Sequence, residues 1–115
     1  MHEFGIASSI FETLKTEAAK QPGTRFVALG LRVGDVSGVE AASLEFCLKA
    51  LVKDTEFDPL DIQFEHSPRR HQCPQCNSEF DVVDYEVACP ECGEFRTQLI
   101  AGDELEILYI EVEDK

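Results

Sequence analysis

Two closely spaced cysteine pairs constrain this chain more than any other feature of its sequence. The pairs are Cys73-Pro-Gln-Cys76 and Cys89-Pro-Glu-Cys92, and residues 77–88 separate them. Each pair can form a tight turn, and four thiolates at this spacing suit a tetrahedral zinc ion. Four cysteines could also form two disulfides or hold iron. Because the spacing is more typical of a zinc site, we predict a zinc ribbon with Cys73, Cys76, Cys89 and Cys92 as ligands.

The acidic composition limits the partners that the 115-residue chain can bind. It has 23 acidic and 10 basic residues, a formal net charge of −13, and this charge would repel nucleic-acid phosphates. No apolar run approaches the length of a membrane span, and the first residues lack a signal-peptide pattern. We therefore expect a cytoplasmic protein that binds neither nucleic acid nor membranes, and that attracts cations or basic proteins.

The hydrophobic pattern before the cysteines predicts alternating helices and strands. Apolar residues recur at three- and four-residue steps over residues 4–19, which is typical of an amphipathic helix. Val27, Leu29, Leu31 and Val33 then alternate along a strand at 25–33. The sequence Ser37-Gly38-Val39-Glu40 has the capping-box pattern and should open a second helix that runs to about Lys53.

Two further strands complete the predicted fold, at Asp61–His66 and Glu104–Glu113. The last strand has apolar residues on both faces, as a central strand would. We predict an α/β (α+β) fold: a small mixed three-stranded sheet with two helices, formed by residues 1–68 and 99–115, plus an inserted four-cysteine zinc ribbon at 69–98. Strands near Glu79–Val83 and Glu94–Leu99 would flank the cysteines. A ribbon this short cannot bury a sufficient hydrophobic core. Metal must therefore supply its folding free energy, which is on the order of 10–16 kcal/mol for structural zinc.

The sequence Met1-His2-Glu3 is a second candidate metal site. The α-amine, the imidazole of His2 and nearby amide nitrogens can enclose one metal ion in fused chelate rings, and such nitrogen ligands suit nickel(II) or copper(II). Glu3 could ligate the ion, accept a hydrogen bond or favour the positive end of a helix dipole. Many chains begin with a solvated histidine, and His2 could instead be one of these, without a metal ion.

The combined motifs resemble the HypA family of nickel metallochaperones, which act in the maturation of nickel–iron hydrogenase and sometimes of urease. The resemblance covers essentially the full length. It includes Met1-His2-Glu3, the segment Gly34-Asp35-Val36-Ser37-Gly38-Val39-Glu40, the late four-cysteine insertion and a closing Gly102-x-Glu104-Leu105-x-Ile107 strand. Some relatives carry a histidine shortly after each cysteine pair, where this chain has Ser78 and Gly93, so we do not expect histidine–cysteine ligand exchange there.

The resemblance implies a nickel site and a set of partners. Nickel would bind the amine of Met1 and His2, with Glu3 contributing through its backbone or side chain and Glu40 approaching from the second helix. Glu40 could instead only cap that helix. The implied partners are a maturation GTPase of the HypB type, a hydrogenase large-subunit precursor and, where urease is the client, urease accessory proteins.

The remaining residues with reactive side chains have simpler interpretations. Cys47 lies on the apolar stripe of the second helix and should be a core residue. His66 and His71 lie just before the cysteines and suit a hinge, or for His71 a hydrogen bond to a thiolate. The chain has no catalytic motif, and a four-thiolate zinc has no open position for water, so we predict that it is not an enzyme. Two alternatives to nickel transfer remain: a structural zinc-ribbon adaptor for protein interaction and a rubredoxin-like iron protein.

Overall fold

The computed structural model describes residues 2–115, which form two helices and two small sheets in an elongated molecule of 57 × 27 × 17 Å. The predicted fold class is confirmed. Within residues 2–115, neither helix has the length and hydrophobicity that a membrane-spanning segment requires. The helices are α1 (His2–Lys20) and α2 (Ala41–Val52), and the strands are β1 (Thr24–Gly34), β2 (Asp61–Ser67), β3 (Arg70–Gln72), β4 (Glu79–Asp81), β5 (Gln98–Ala101) and β6 (Leu105–Asp114).

The first sheet has the order β2-β1-β6, with β2 parallel and β6 antiparallel to β1. The predicted mixed sheet is confirmed, but the prediction that the last strand is central was wrong, because β1 is central and β6 lies at an edge. The pairing shifts register between Gly30 and Leu31, so that Leu108 becomes an extra residue on β6. This β-bulge turns Ile107 and Ile110 to the same face of the sheet. The bulge, rather than burial on both sides, explains the mixed pattern of apolar residues.

A second bulge corrects the predicted apolar face of β1. The register also shifts between Phe26 and Ala28, and Phe26 is buried whereas Val27 is only half-buried. Phe26 therefore takes the inward position that simple alternation assigned to Val27, and it packs against Phe57 with ring centroids 5.6 Å apart.

Both helices contribute to one hydrophobic core with this sheet. The deepest core side chains include Leu14 of α1, Leu29 and Leu31 of β1, and Leu44 and Leu48 of α2. Complete burial of each such side chain contributes about 1.5–3 kcal/mol. Cys47 is 4% exposed and lies in the same cluster, so its prediction as a core residue is confirmed.

The start of α2 differs from the predicted capping box. Glu40, not Ser37, is the N-cap, and its carboxylate accepts a hydrogen bond from the Ser43 N–H at 2.7 Å. The Ser37 hydroxyl instead accepts from the Val39 N–H at 3.2 Å, within the preceding turn. The capping-box prediction therefore placed the N-cap three residues too early, at Ser37. Both Ser37 and Glu40 can accept a hydrogen bond from a nearby backbone N–H, so the sequence alone does not show which of them starts the helix.

The second sheet, of order β4-β3-β5, is antiparallel and carries the cysteines between its strands. Its strands are shorter or later than the predicted segments near Glu79–Val83 and Glu94–Leu99. At the junction of the two sheets, the Val36 N–H donates to the Gly102 carbonyl at 2.7 Å. Next to it, the Gly34 N–H donates to the Glu104 carbonyl at 2.8 Å and extends the pairing of β1 with β6. The glycines permit this approach, because a Cβ on Gly34 would overlap the backbone of Gly102.

Candidate metal centres

The four predicted zinc ligands lie together, with all their sulfur atoms within 4.8 Å of one another. The Cys73–Cys92 and Cys76–Cys89 sulfur pairs are 3.5 and 3.6 Å apart. Tetrahedral zinc with Zn–S bonds of about 2.3 Å requires sulfurs about 3.8 Å apart, so the cluster fits zinc. All four cysteines are free, and these separations far exceed a disulfide bond of about 2.05 Å.

Two nearly identical backbone turns bring the sulfurs together. In the first turn the Asn77 N–H donates to the Cys73 carbonyl at 2.8 Å, and in the second the Gly93 N–H donates to the Cys89 carbonyl at 2.9 Å. Asn77 has φ of 64° and Gly93 has φ of 79°, the left-handed conformation that glycine and asparagine adopt most readily. The two Cys-Pro-x-Cys segments, here called knuckles, therefore share one local backbone geometry.

The surroundings of Cys76 and Cys92 shift the pKa values of these two thiols in opposite directions. The Ser78 hydroxyl and backbone N–H lower the pKa of Cys76 to about 6. The Glu94 N–H lowers the pKa of Cys92. The neighbouring thiols and burial outweigh this effect and raise the pKa of Cys92 to about 12. A divalent cation favours the thiolate form of all four cysteines, so metal binding would release protons.

His71 does not hydrogen-bond a cysteine, so that part of the sequence prediction was wrong. Its Nε2 accepts from the Arg69 side chain at 3.1 Å, and its Nδ1 lies 2.8 Å from the Thr97 hydroxyl. The Thr97 hydroxyl in turn donates to the Val87 carbonyl at 2.6 Å. Burial, and then the charge of Arg69, lower the pKa of His71. The ring therefore ties β3 to the segment between the two knuckles.

His66 lies at the junction of the two sheets, with its Nε2 2.7 Å from Asp35 Oδ1. The other carboxylate oxygen of Asp35 accepts from the Arg69 N–H at 3.3 Å. Asp35 therefore connects the ends of β1 and β2 with the start of the ribbon. Asp35 lies in the segment Gly34–Glu40 that resembles the HypA family. No local sequence pattern predicts its contacts with His66 and Arg69, which are 31 and 34 positions later in the chain.

The predicted nickel ligands are only partly described, because Met1 lies outside residues 2–115. His2 is the first residue of α1, its side chain is 62% exposed, and its Nδ1 lies 4.0 Å from Glu3 Oε2. Glu3 Oε2 also accepts a hydrogen bond from the backbone N–H of Glu40 at 3.3 Å. The first turn of α1 and the start of α2 are therefore directly connected.

Glu40 acts as a helix cap in this arrangement. The Ser43 N–H holds the pKa of the Glu40 carboxyl below its usual range. Among residues 2–115, the four cysteines are the only group of three or more potential ligands close enough to share one ion. The structure thus places His2 and Glu3 side by side and links Glu3 to Glu40, without gathering the three side chains into a ligand set.

Comparison with known proteins identifies the family. Residues 1–112 match the family model described as "HypA: Hydrogenase/urease nickel incorporation, metallochaperone, hypA". The chain is 36% identical over 113 residues to the hydrogenase maturation factor HypA of Geobacter metallireducens, covering 98% of this chain and 100% of that protein. It is 36% identical over 114 residues to the HypA of Chlorobaculum parvum, with the same coverage.

Solved structures agree in fold. The solution structure of a HypA protein superposes with a TM-score of 0.74 at 18% identity, covering 100% of this chain and 98% of that one. The solution structure of the Ni metallochaperone HypA from Helicobacter pylori gives 0.62 at 17% identity, covering 98% of each chain. With the family match over residues 1–112, these findings show that the chain belongs to the HypA family of metallochaperones for nickel incorporation into hydrogenase and urease.

Proposed function

We propose that this protein binds nickel(II) at its N-terminus and delivers it during the maturation of nickel–iron hydrogenase. The amine of Met1 and the imidazole of His2 bind the ion, Glu3 contributes through its backbone or side chain, and Glu40 approaches from α2. The hydrogen bond from the Glu40 N–H to Glu3 is the observation that carries this assignment. It fixes the first turn of α1 beside α2 while leaving the His2 side chain accessible.

The exposure of His2 suits transfer rather than storage. A cargo ion must leave its carrier, and a chelate at the surface can be approached by the ligands of an acceptor protein. The net charge of −13 attracts cations to the protein as a whole. The acidic protein therefore attracts the ion, and the exposed chelate allows an acceptor protein to remove it.

We assign zinc to Cys73, Cys76, Cys89 and Cys92 as a structural ion. Between residues 69 and 98 the only buried residues are His71, Cys73 and Cys89, so this segment has no apolar core that could fold it. Zinc would supply positive charge for the thiolates and hold the two knuckles together. With four protein ligands its coordination is complete.

The partners that the family implies follow from this role. A maturation GTPase of the HypB type and a hydrogenase large-subunit precursor would act with this chain in the cytoplasm, as would urease accessory proteins where urease is the client. The domain of residues 1–68 and 99–115 would carry nickel, and the zinc ribbon of residues 69–98 would be the second domain.

Two histidine variants test the nickel proposal. In zinc-loaded protein, His2→Ala should weaken nickel binding by more than about a hundredfold, since changes outside the ligand shell alone cost about 10–100-fold. His66→Ala is the matched control, because His66 is also exposed but belongs to the sheet junction. Equilibrium dialysis measures binding, and the nickel content of the hydrogenase large subunit in cells measures delivery. Unchanged binding by His2→Ala would contradict the proposal and favour a structural zinc-ribbon adaptor.

A further inference from the structure

An open apolar groove runs between α1 and β6. Its volume is about 710 Å³, and its walls include Ile6, Ile10 and Thr13 of α1 and Leu105 and Ile107 of β6. The three-stranded sheet is covered by two helices, and β6 keeps part of its inward face accessible beside them: Leu105, Ile107 and Ile110 are only partly buried. The groove is thus the uncovered margin of the hydrophobic core.

Strand β6 borders this groove, and among residues 2–115 it pairs with β1 alone. It spans Leu105–Asp114, which is long for an edge strand, and its second edge leaves backbone N–H and C=O groups open to further pairing. An extended segment that paired with this edge would continue the sheet and cover the groove at the same time.

The two faces of β6 differ in charge. The inward face carries Leu105, Ile107, Ile110 and Val112, whereas the outward face carries Glu106, Tyr109, Glu111 and Glu113. Arg32 pairs with Glu106 and Arg25 pairs with Glu113. Within residues 2–115, Glu111 forms no ion pair, so negative charge remains in the middle of the strand.

This charge pattern selects the occupant. A second copy of the chain, paired edge to edge through β6, would place acidic side chains opposite acidic side chains, which is destabilising. Two copies would also bring together two chains of net charge −13. A strand with basic side chains on its outward face and apolar side chains on its inward face complements both surfaces.

We propose that β6 and the adjoining groove form a docking surface for an extended basic segment of a partner protein, which joins the sheet as a fourth strand. Its basic side chains lie beside the outward acidic row, and its apolar side chains fill the groove. His2 lines the same groove, so a segment docked there lies next to the N-terminal residues. The proposal does not require nickel, and it is tested on zinc-loaded, nickel-free protein.

A capped peptide of alternating lysine and valine is the probe. A control peptide has the same composition with all its lysines in one block. Its net charge is the same, but as a strand it has no separate basic and apolar faces. Titrations of isotope-labelled protein are followed by amide chemical shifts at about 0.15 M ionic strength, where long-range attraction is screened. We expect the alternating peptide to bind about tenfold more tightly, a difference of about 1.4 kcal/mol, with shifts concentrated along β6 and the groove.

Two threonines of α1 provide matched variants. Thr13 lines the groove, Thr16 does not, and each donates its hydroxyl to the carbonyl four residues earlier. Thr13→Phe fills the groove and should weaken peptide binding about tenfold, as expected for loss of a central apolar contact. Thr16→Phe removes the same type of hydrogen bond from an exposed site and should change binding by less than about twofold.

Four results would overturn the proposal. The first three are no binding of the alternating peptide, equal binding of the block peptide, and equal weakening by Thr13→Phe and Thr16→Phe. The fourth is a dimer in sedimentation analysis in which the β6 amides that do not pair with β1 are protected from exchange. Equal binding of the two peptides would mean non-specific charge attraction. A dimer would mean that a second copy occupies this surface.

Discussion

The carboxylate of Glu3 accepts a hydrogen bond from the backbone N–H of Glu40, with Oε2 and N 3.3 Å apart. The bond joins residues 37 positions apart at the point where α1 begins and α2 is capped. Since the carboxylate of Glu40 is itself held by the Ser43 N–H, the two acidic residues form one continuous chain of contacts between the helices. The proposed nickel site is therefore supported by the start of α2.

This contact predicts a difference between two Glu3 variants. Glu3→Gln keeps a side-chain oxygen that can accept from the Glu40 N–H, and should bind nickel within a few-fold of the native chain. Glu3→Ala removes the acceptor and should lose affinity about 10–100-fold, as for other residues that orient a metal ligand. Nickel titration of both variants measures this difference. An equal loss in both would mean that the carboxylate charge acts on nickel directly.

Two glycine substitutions, one at the junction of the two sheets and one in α1, should change the free energy of unfolding in opposite directions. Gly34→Ala places a methyl group against the Gly102 backbone, and should lower the free energy of unfolding by about 1–3 kcal/mol or more. Gly5→Ala adds a methyl group with nothing within 4 Å in the interior of α1, and should raise it by about 0.5–1 kcal/mol. Urea denaturation measures both values. A neutral Gly34→Ala would show that the junction can move apart at little cost.

Removal of zinc should unfold one sheet and spare the other. The ribbon has no apolar core, whereas the first sheet packs on both helices. Chelation, or Cys73→Ser, should therefore abolish hydrogen-exchange protection in β3, β4 and β5 while β1, β2 and α2 remain protected.

The control for zinc removal is Cys47→Ala, which changes a core cysteine away from the cluster and should leave zinc content unchanged. Loss of protection throughout the chain after chelation would contradict the independence of the first sheet. Full protection of β3–β5 without metal would show that zinc does not hold the ribbon.

The fold was largely predictable because its elements follow regular hydrophobic periods. The core positions of α1 and α2 recur at helical spacing, and both helices were expected near their observed bounds. The position of β6 was not predictable, because a single bulge at Leu108 changes which side chains share a face and makes an edge strand look central. Bulges depend on pairing between distant strands, which the local sequence pattern does not contain.

The candidate sites show the same contrast. Each half of the four-cysteine cluster follows from a local turn, so the sequence spacing predicts that Cys73 lies beside Cys76 and Cys89 beside Cys92. The contacts of Asp35 with His66 and of His71 with Thr97 join residues far apart in sequence, and no local signal marks them. The nickel ligands stay a prediction from the family resemblance.

Acid should weaken the junction through Glu104. Its own backbone N–H, the Ser67 hydroxyl and the Gly102 N–H hold the pKa of the Glu104 carboxyl below its usual range. A lowered pKa in the folded state stabilises the fold above the unfolded-state pKa, and this contribution is lost as the pH falls through the folded-state pKa. As the pH falls below the usual carboxyl pKa of 4.5, the native chain should therefore lose more stability than Glu104→Gln. Urea midpoints of the two proteins across this range measure the effect, and parallel curves would contradict it.

Nickel titration of zinc-loaded protein, with and without one extra glycine ahead of Met1, tests the central claim most directly. The extra residue keeps every side chain but moves the α-amine away from His2. The account predicts that the native chain binds nickel and that the extended chain loses at least about a hundredfold in affinity, because the fused chelate rings are broken. Equal binding by both chains, or no binding by either, would contradict an N-terminal nickel site.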